Sequence, residues 1–233
     1  MGDHLPLVTL AAGVLAAYLL VGLPLAGLLS RRELQRRLTY ETGLRLTVYR
    51  QAIGRLWLLA GVAVALTGWA RVPLAALGLR APSMAADRLP VLVAATVLPI
   101  AAATVVRSGR GSASRTTGLL PVTQQERHLF AGVALTAGAV EELLFRGFLM
   151  LYLHEALGLS LQLGAAASAL AFGISHLYQG AGTALAAGVI GYGFAEAYLI
   201  TASLLVPVTV HILLDLRVLS TRAGRRPIRS AAV

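Results

Sequence analysis

Glu141-Glu142-Leu143-Leu144-Phe145-Arg146 sets two adjacent carboxylates and a guanidinium into a stretch otherwise made of Val140, Phe148, Leu149 and Met150. A charge placed in the apolar middle of a membrane helix costs roughly 2.5–3.5 kcal/mol on insertion scales, so such groups take partners and mark functional sites. Residues four apart on an α-helix differ by about 40° and share a face. Glu142 and Arg146 therefore face each other, as an ion pair that keeps both charged in lipid. Glu141 is turned about 100° from Glu142 and looks into a different cavity. The spacing divides the labour between a supporting pair, Glu142 and Arg146, and a carboxylate left free for chemistry, Glu141.

The surrounding composition belongs to a membrane protein. Of 233 residues, 57% are hydrophobic and 13% charged, and the mean hydropathy is +0.75; soluble domains average about 25% charged residues. The absence of cysteine excludes disulfides, thiolate metal sites and a cysteine nucleophile. The net charge is +10, with every cationic side chain an Arg. These Arg residues punctuate apolar runs instead of forming one stripe, which argues for membrane lipid and against nucleic acid as a partner.

In chain order, Leu5–Leu29 reads as an uncleaved first span, since no positive segment precedes it. Residues Arg31 to Arg55 read as the most basic loop. Leu56–Ala70 and Leu89–Val106 are the second and third spans, the latter with Pro99 inside. Arg107–Thr117 is a flexible basic loop. Thr123 and Glu126 form a capping-box signature that starts a fourth helix running to about Glu155. Leu159–Ser175, Ala184–Thr201 and a helix from about Pro207 to Arg217 complete the set. Ala184/Gly188 and Ala187/Gly191, small residues four apart, suit close helix contacts in lipid. The expected fold is an all-α polytopic transmembrane bundle of about seven helices, with Arg71–Arg88 the place where an eighth could lie. Residues 1–120 hold the N-terminal helices and basic loops, 121–217 the core with the charged groups, and 218–233 a basic tail that reads as disordered. With seven spans, one side receives sixteen Arg and the other three. The positive-inside rule then places the C-terminus in the cytoplasm.

Four further groups belong with Glu141. His176 ends the fifth span in Phe172-Gly173-Ile174-Ser175-His176, and His211 and Asp215 are i, i+4 in the last helix. Together they offer what amide hydrolysis needs, a carboxylate that takes a proton from water and imidazoles, or a metal they hold, that stabilise an oxyanion. Neither a His-Glu-x-x-His zinc signature nor a Gly-x-Ser-x-Gly elbow is present. Glu196 is a further carboxylate in an apolar span, read either as lining the cavity with Phe172 or as pairing with an Arg or His. A proton-coupled transporter relaying through Glu141, Glu196 and Asp215, or a degenerate scaffold, is the non-protease alternative; internal repeats would favour the transporter, and none is found.

Glu141-Glu142-x-x-x-Arg146, Phe172-x-x-x-His176 and His211-x-x-x-Asp215, in this order over roughly residues 123–216, resemble the three motifs of the CPBP family of intramembrane proteases, the CAAX prenyl endopeptidase and bacteriocin-processing (Abi) family. The resemblance implies an endopeptidase acting on a membrane-associated protein or peptide, with Glu141, His176, His211 and Asp215 catalytic. It leaves open a glutamate or a metallo type, the latter with a divalent metal such as zinc on His176 and His211. The last position takes Asn or Asp in the family; ionised Asp215 accepts hydrogen bonds and cannot donate one to an oxyanion. Glu196 stands where an apolar residue is expected. The all-Arg, Ala-rich composition points to a multi-pass protein of a bacterial inner (plasma) membrane. One geometric demand follows. Glu141 lies roughly 20 Å along its helix from Arg127, whereas His176 and His211 end theirs, so the fourth helix is expected to start well outside the bilayer or to tilt.

Overall fold

A computed structural model describes residues 5–41, 43–108 and 119–220, and every regular element among them is a helix. The basic tail from residue 221 and the loop over 109–118 lie outside the described residues. Helix α1 (Leu5–Ala17) passes through a π-helical turn, Tyr18–Gly22, directly into α2 (Leu23–Tyr40). After a turn at Gly43, whose φ of 80° suits glycine, α3 runs over Leu44–Trp69. The stretch expected as a basic loop, Arg31 to Arg55, is thus mostly helix. Arg, Leu and Gln are good helix formers. Arg36–Glu33 and Arg37–Glu41, paired at 3.1 and 2.7 Å along the helix, add support. Long Arg side chains also let a helix run past the apolar layer.

Helix α4 (Leu89–Ser108) carries Pro99 inside it. Between α3 and α4, Arg71–Arg88 holds only two 3-10 turns, Leu74–Leu77 and Ala86–Arg88, and no eighth spanning helix. This segment folds back onto the bundle with Leu77 fully buried. The Tyr198 hydroxyl donates to Ala76 O (3.2 Å), Ser83 N to Thr201 O (2.9 Å) and Leu204 N to Gly78 O (3.0 Å). It therefore closes one end of the bundle, where two later helices meet.

Helix α5 (Gln124–Glu142) starts on the expected capping box, with both reciprocal bonds between Thr123 and Glu126 formed. A π-helix over Leu143–Leu149 and then α6 (Met150–Glu155) continue the same rod. The rod measures 32 residues, about 48 Å at 1.5 Å per residue, against about 30 Å for the hydrocarbon core. It overruns the apolar layer, as Glu141's depth demands. Then follow α7 (Leu161–Ser175, capped by Ser160), α8 (Ala181–Thr201) and α9 (Leu205–Leu216).

Among the described residues five helices are long and apolar enough to cross a membrane, whereas α7 and α9, at 15 and 12 residues, are shorter. Leu10, Val21, Trp57, Leu58, Leu98, Leu170 and Leu213 stand exposed on the outside of the bundle. An apolar exterior on this scale suits lipid and not water. The protein is a multi-pass membrane protein.

Helix α3 runs beside α5 in the same direction, with Arg45 on Glu126 at 3.5 Å, Tyr49 on Phe130 with ring centroids 5.7 Å apart, and Ile53 over Gly132. Helix α9 returns antiparallel to α5, with Ile212 on Gly138 and Leu219 O accepting from Arg127 Nη2 at 2.7 Å. The small residues do what their spacing suggested. A Cβ on Gly173 would stand 2.9 Å from Ala184 O and 3.0 Å from Gly188 Cα, so α7 and α8 touch through backbone.

Candidate active site

The charged stretch sits where α5 widens into a π-helix, and Leu143 through Leu149 are all buried. Such wide turns are rare and gather at functional sites. Two neighbours accommodate this one. Ser168 Oγ donates to Phe145 O at 2.8 Å, giving that carbonyl a partner from α7. Gly147 passes under Leu77 O, where a Cβ would stand 2.7 Å away.

Arg146 and Glu142 are both fully buried, with Arg146 Nη1 donating to Glu142 Oε1 at 3.1 Å. Arg146 Nη2 donates to Gly191 O at 2.8 Å, and its guanidinium lies 4.6 Å from the centre of the Phe172 ring. A Cβ on Gly191 would come within 2.7 Å of Nη2, so the small residue there makes room for the cation. The pair read from the spacing is present and has a third member. His211 Nδ1 donates to the same Glu142 Oε1 at 2.8 Å, with no charged or polar group of this trio open to solvent beyond the rim of His211. A carboxylate facing a guanidinium only accepts, so Nδ1 of His211 carries a proton.

That bond turns Nε2 of His211 outward. It faces Glu141 Oε2 at 3.9 Å and Asp215 Oδ2 at 3.8 Å. These separations exceed direct hydrogen bonds, as catalytic contacts often do before substrate tightens them. The side chain of Glu142 is 0% exposed and that of Glu141 22%. Of two adjacent carboxylates, one is sealed into the scaffold and the other is reached from outside.

His176 caps the C-terminal end of α7 with φ −91° and ψ 1°, the bridge region common among active-site residues. Its Nδ1 donates to Phe172 O at 2.8 Å, leaving Nε2 for a ligand. The Phe172 ring ties the site together. Its centre lies 4.6 Å from that of His176 and 5.9 Å from that of His211, and it packs edge-on against Phe145 at 5.3 Å. Asp215 feels the charge of both imidazoles and of Glu141. Among the described residues no hydrogen bond joins Glu141 to His176.

Glu196 is not brought to this cluster. It lies two residues, about 200°, from Phe194, whose ring meets His211 at 5.6 Å. Its Oε1 is buried without a hydrogen-bond partner, and Tyr192, one turn earlier, is the polar side chain it interacts with. For a metal, His176 and His211 each keep Nε2 available. However, no group of three or more His, Asp or Glu converges to hold an ion among the described residues.

Residues 123–217 match the family described as type II CAAX prenyl endopeptidase Rce1-like. Over that segment the chain is similar to the CPBP family of intramembrane proteases. The match spans α5 to α9 with all three motifs and leaves α1 to α4 outside. Comparisons with curated proteins and with solved structures returned no match. Sequence spacing missed the Glu142–His211 bond, the Gly191 carbonyl under Arg146, and Ser168. The signal for Gly191 was present in the small-residue spacing of α8; for the other two, chain-distant partners left none.

Removing one member of a buried ion pair typically costs about 3–5 kcal/mol. Arg146→Ala is expected to destabilise the protein by that order, and Arg146→Lys by less, since it keeps the charge but loses the fork and the stacking on Phe172. Denaturant titration of the two variants in mixed micelles checks this; an unchanged midpoint for Arg146→Ala would contradict it.

Proposed function

We propose that the protein is an endopeptidase in which Glu141 activates a water for attack on a peptide bond at the membrane. The observation that carries this is the fixed imidazole of His211, pinned through Nδ1 by buried Glu142 with Nε2 aimed at the accessible carboxylate of Glu141. Glu141 takes a proton as the water oxygen bonds to the carbonyl carbon, then delivers it to the leaving nitrogen as the C–N bond breaks. The products are a carboxylate and an amine. His176, with Nδ1 committed to Phe172 O, offers Nε2 to hold the water. His211, doubly protonated, donates from Nε2 to the oxyanion. Asp215, an acceptor on the Nε2 side, supports the positive imidazole and does not serve as an oxyanion donor.

An apolar groove of about 570 Å³ opens beside this site, lined by Pro99, Gly173, Ile174, Leu177, Leu185 and Val189 among others. It begins at the turn that follows His176, which supports a substrate bearing an apolar anchor close to its scissile bond. The Arg distribution supports an orientation with the C-terminus cytoplasmic, and the composition supports a bacterial plasma membrane.

In liposomes, Glu141→Gln is expected to lower cleavage of an anchored peptide by about 10²–10⁴-fold with an unchanged unfolding midpoint, and a strong chelator to leave the wild-type rate intact. Full activity of Glu141→Gln sinks the proposal. Loss on chelation that zinc restores assigns His176 and His211 to a metal instead. The chain lacks cysteine, so single-cysteine variants report orientation cleanly. Ser220→Cys is expected to react with an impermeant maleimide only from the cytoplasmic face and Ser83→Cys only from the opposite one, and the reverse pattern refutes the orientation.

A further inference from the structure

Tyr178 lies in the short 3-10 turn, Leu177–Gln179, that follows His176 and leads from α7 to α8. Two backbone bonds hold this turn, Gln179 N to His176 O and Gly180 N to Leu177 O, both at 2.9 Å. Gly180, at a φ of 114° that favours glycine, then reverses the chain into α8. The Tyr178 ring stacks on His176, with centres 6.5 Å apart and planes 28° from parallel. It also lies against α2 at Gly27, where a Cβ would stand 3.5 Å from its Cδ1. The position of this ring is therefore fixed by two elements outside its own turn.

The hydroxyl has a donor of its own and a proton still to place. Gln179 Nε2 donates to it at 2.8 Å, and among the described residues no acceptor takes the proton that the hydroxyl offers in return. A phenol, with an ordinary pKa of about 10, keeps that proton at neutral pH. A hydroxyl enclosed without an acceptor is costly unless something else supplies one. The charges that reach this hydroxyl include those of Glu141 on α5 and Asp215 on α9, so it belongs to the same opening.

That opening is short of donors. Water attack converts the carbonyl oxygen to an oxyanion beside two carboxylates, Glu141 and Asp215. Ionised Asp215 only accepts. Nε2 of neutral His176 also accepts, because its Nδ1 donates to Phe172 O. Nε2 of His211 remains, already facing Glu141 at 3.9 Å and Asp215 at 3.8 Å. Effective oxyanion stabilisation comes from donors fixed in advance where the charge develops. A phenol oriented by Gln179 and held against His176 and α2 is such a donor.

We propose that the Tyr178 hydroxyl donates to the carbonyl oxygen of the scissile bond as it becomes an oxyanion, beside Nε2 of His211. This rests on Glu141 being the base that activates the water. The electron pair of the carbonyl moves to oxygen as the water oxygen bonds to carbon, and returns as the C–N bond breaks. The transferred proton travels through Glu141 to the leaving nitrogen, and Tyr178 keeps its own proton throughout.

In liposomes, kcat and KM are measured for wild type and Tyr178→Phe on one anchored peptide. The substitution keeps the ring and removes only the hydroxyl. It is expected to lower kcat by about 10²-fold with KM changed by less than about twofold. Two uncleaved analogues of the same peptide supply a second readout. A phosphinate presents a tetrahedral anion at the scissile position, whereas a ketomethylene isostere keeps a planar carbonyl. Tyr178→Phe is expected to weaken the phosphinate about tenfold or more and to leave the ketomethylene within about twofold. A tyrosine that only supports the fold would weaken both alike, and partial unfolding cancels in their ratio. Wild-type kcat in Tyr178→Phe, or equal losses for the two analogues, overturns the proposal. Wild-type protein that fails to cleave refutes the role of Glu141, whereas the affinity ratio, which needs no turnover, still decides the role of Tyr178.

Discussion

One oxygen, Glu142 Oε1, accepts from both Arg146 and His211 at the dry centre of the bundle. The constraint behind it is desolvation. A guanidinium and a carboxylate buried this deeply are costly unless they are paired. Arg146 is paired through Glu142, the Gly191 carbonyl and the faces of Phe172 and Phe194, and Glu142 through Arg146 and His211, while Arg146 Nε and Glu142 Oε2 are buried without a hydrogen-bond partner. The trio joins α5, α8 and α9 at one level. The same bond that neutralises the buried charge also fixes which nitrogen of His211 faces Glu141 and Asp215, so stability and the orientation of this imidazole share one interaction.

Helix length then determines where that level lies. The 32-residue rod from Gln124 to Glu155 outruns an apolar layer, while α7 and α9 are too short to cross one alone. The ends of the short helices, carrying His176 and the His211–Asp215 pair, therefore come to rest against the middle of the long one. Close backbone contact makes this possible: Gly173 against α8, Gly138 under Ile212, and Gly147 under the folded-back loop at Leu77. The π-helical turn, held by Ser168, is where the rod adapts to both demands. Glu141 and Asp215 keep side-chain exposures of 22% and 39% at this level of the bundle, where the short helices stop.

The parts of this arrangement legible in the sequence are those set by local periodicity. The capping box at Thr123, the i, i+4 pairing of Glu142 with Arg146, and the tight packing of the small residues of α8 all follow from spacing within one helix. The need for a long fourth helix followed from counting rises. Where the sequence misled, composition was standing in for structure. Arg31 to Arg55 looked like a loop because of its charge, but its residues are helix formers and Arg side chains reach water from a helix. The Glu142–His211 bond was illegible for another reason: its partners are 69 residues apart, and no periodic signal links different helices. Glu196, by contrast, was conspicuous as a carboxylate in an apolar span, yet its helical phase turns it away from His211.

The tautomer of His211 tests the central claim most directly. ¹⁵N chemical shifts of histidine-labelled protein, with His211 assigned through its substitution, report which ring nitrogen is protonated. The expected result is a protonated Nδ1 in the wild type, with the His211 signals changed in Glu142→Gln. A neutral imidazole with its proton on Nε2 and Nδ1 bare would contradict the claim that Glu142 orients the His211 imidazole.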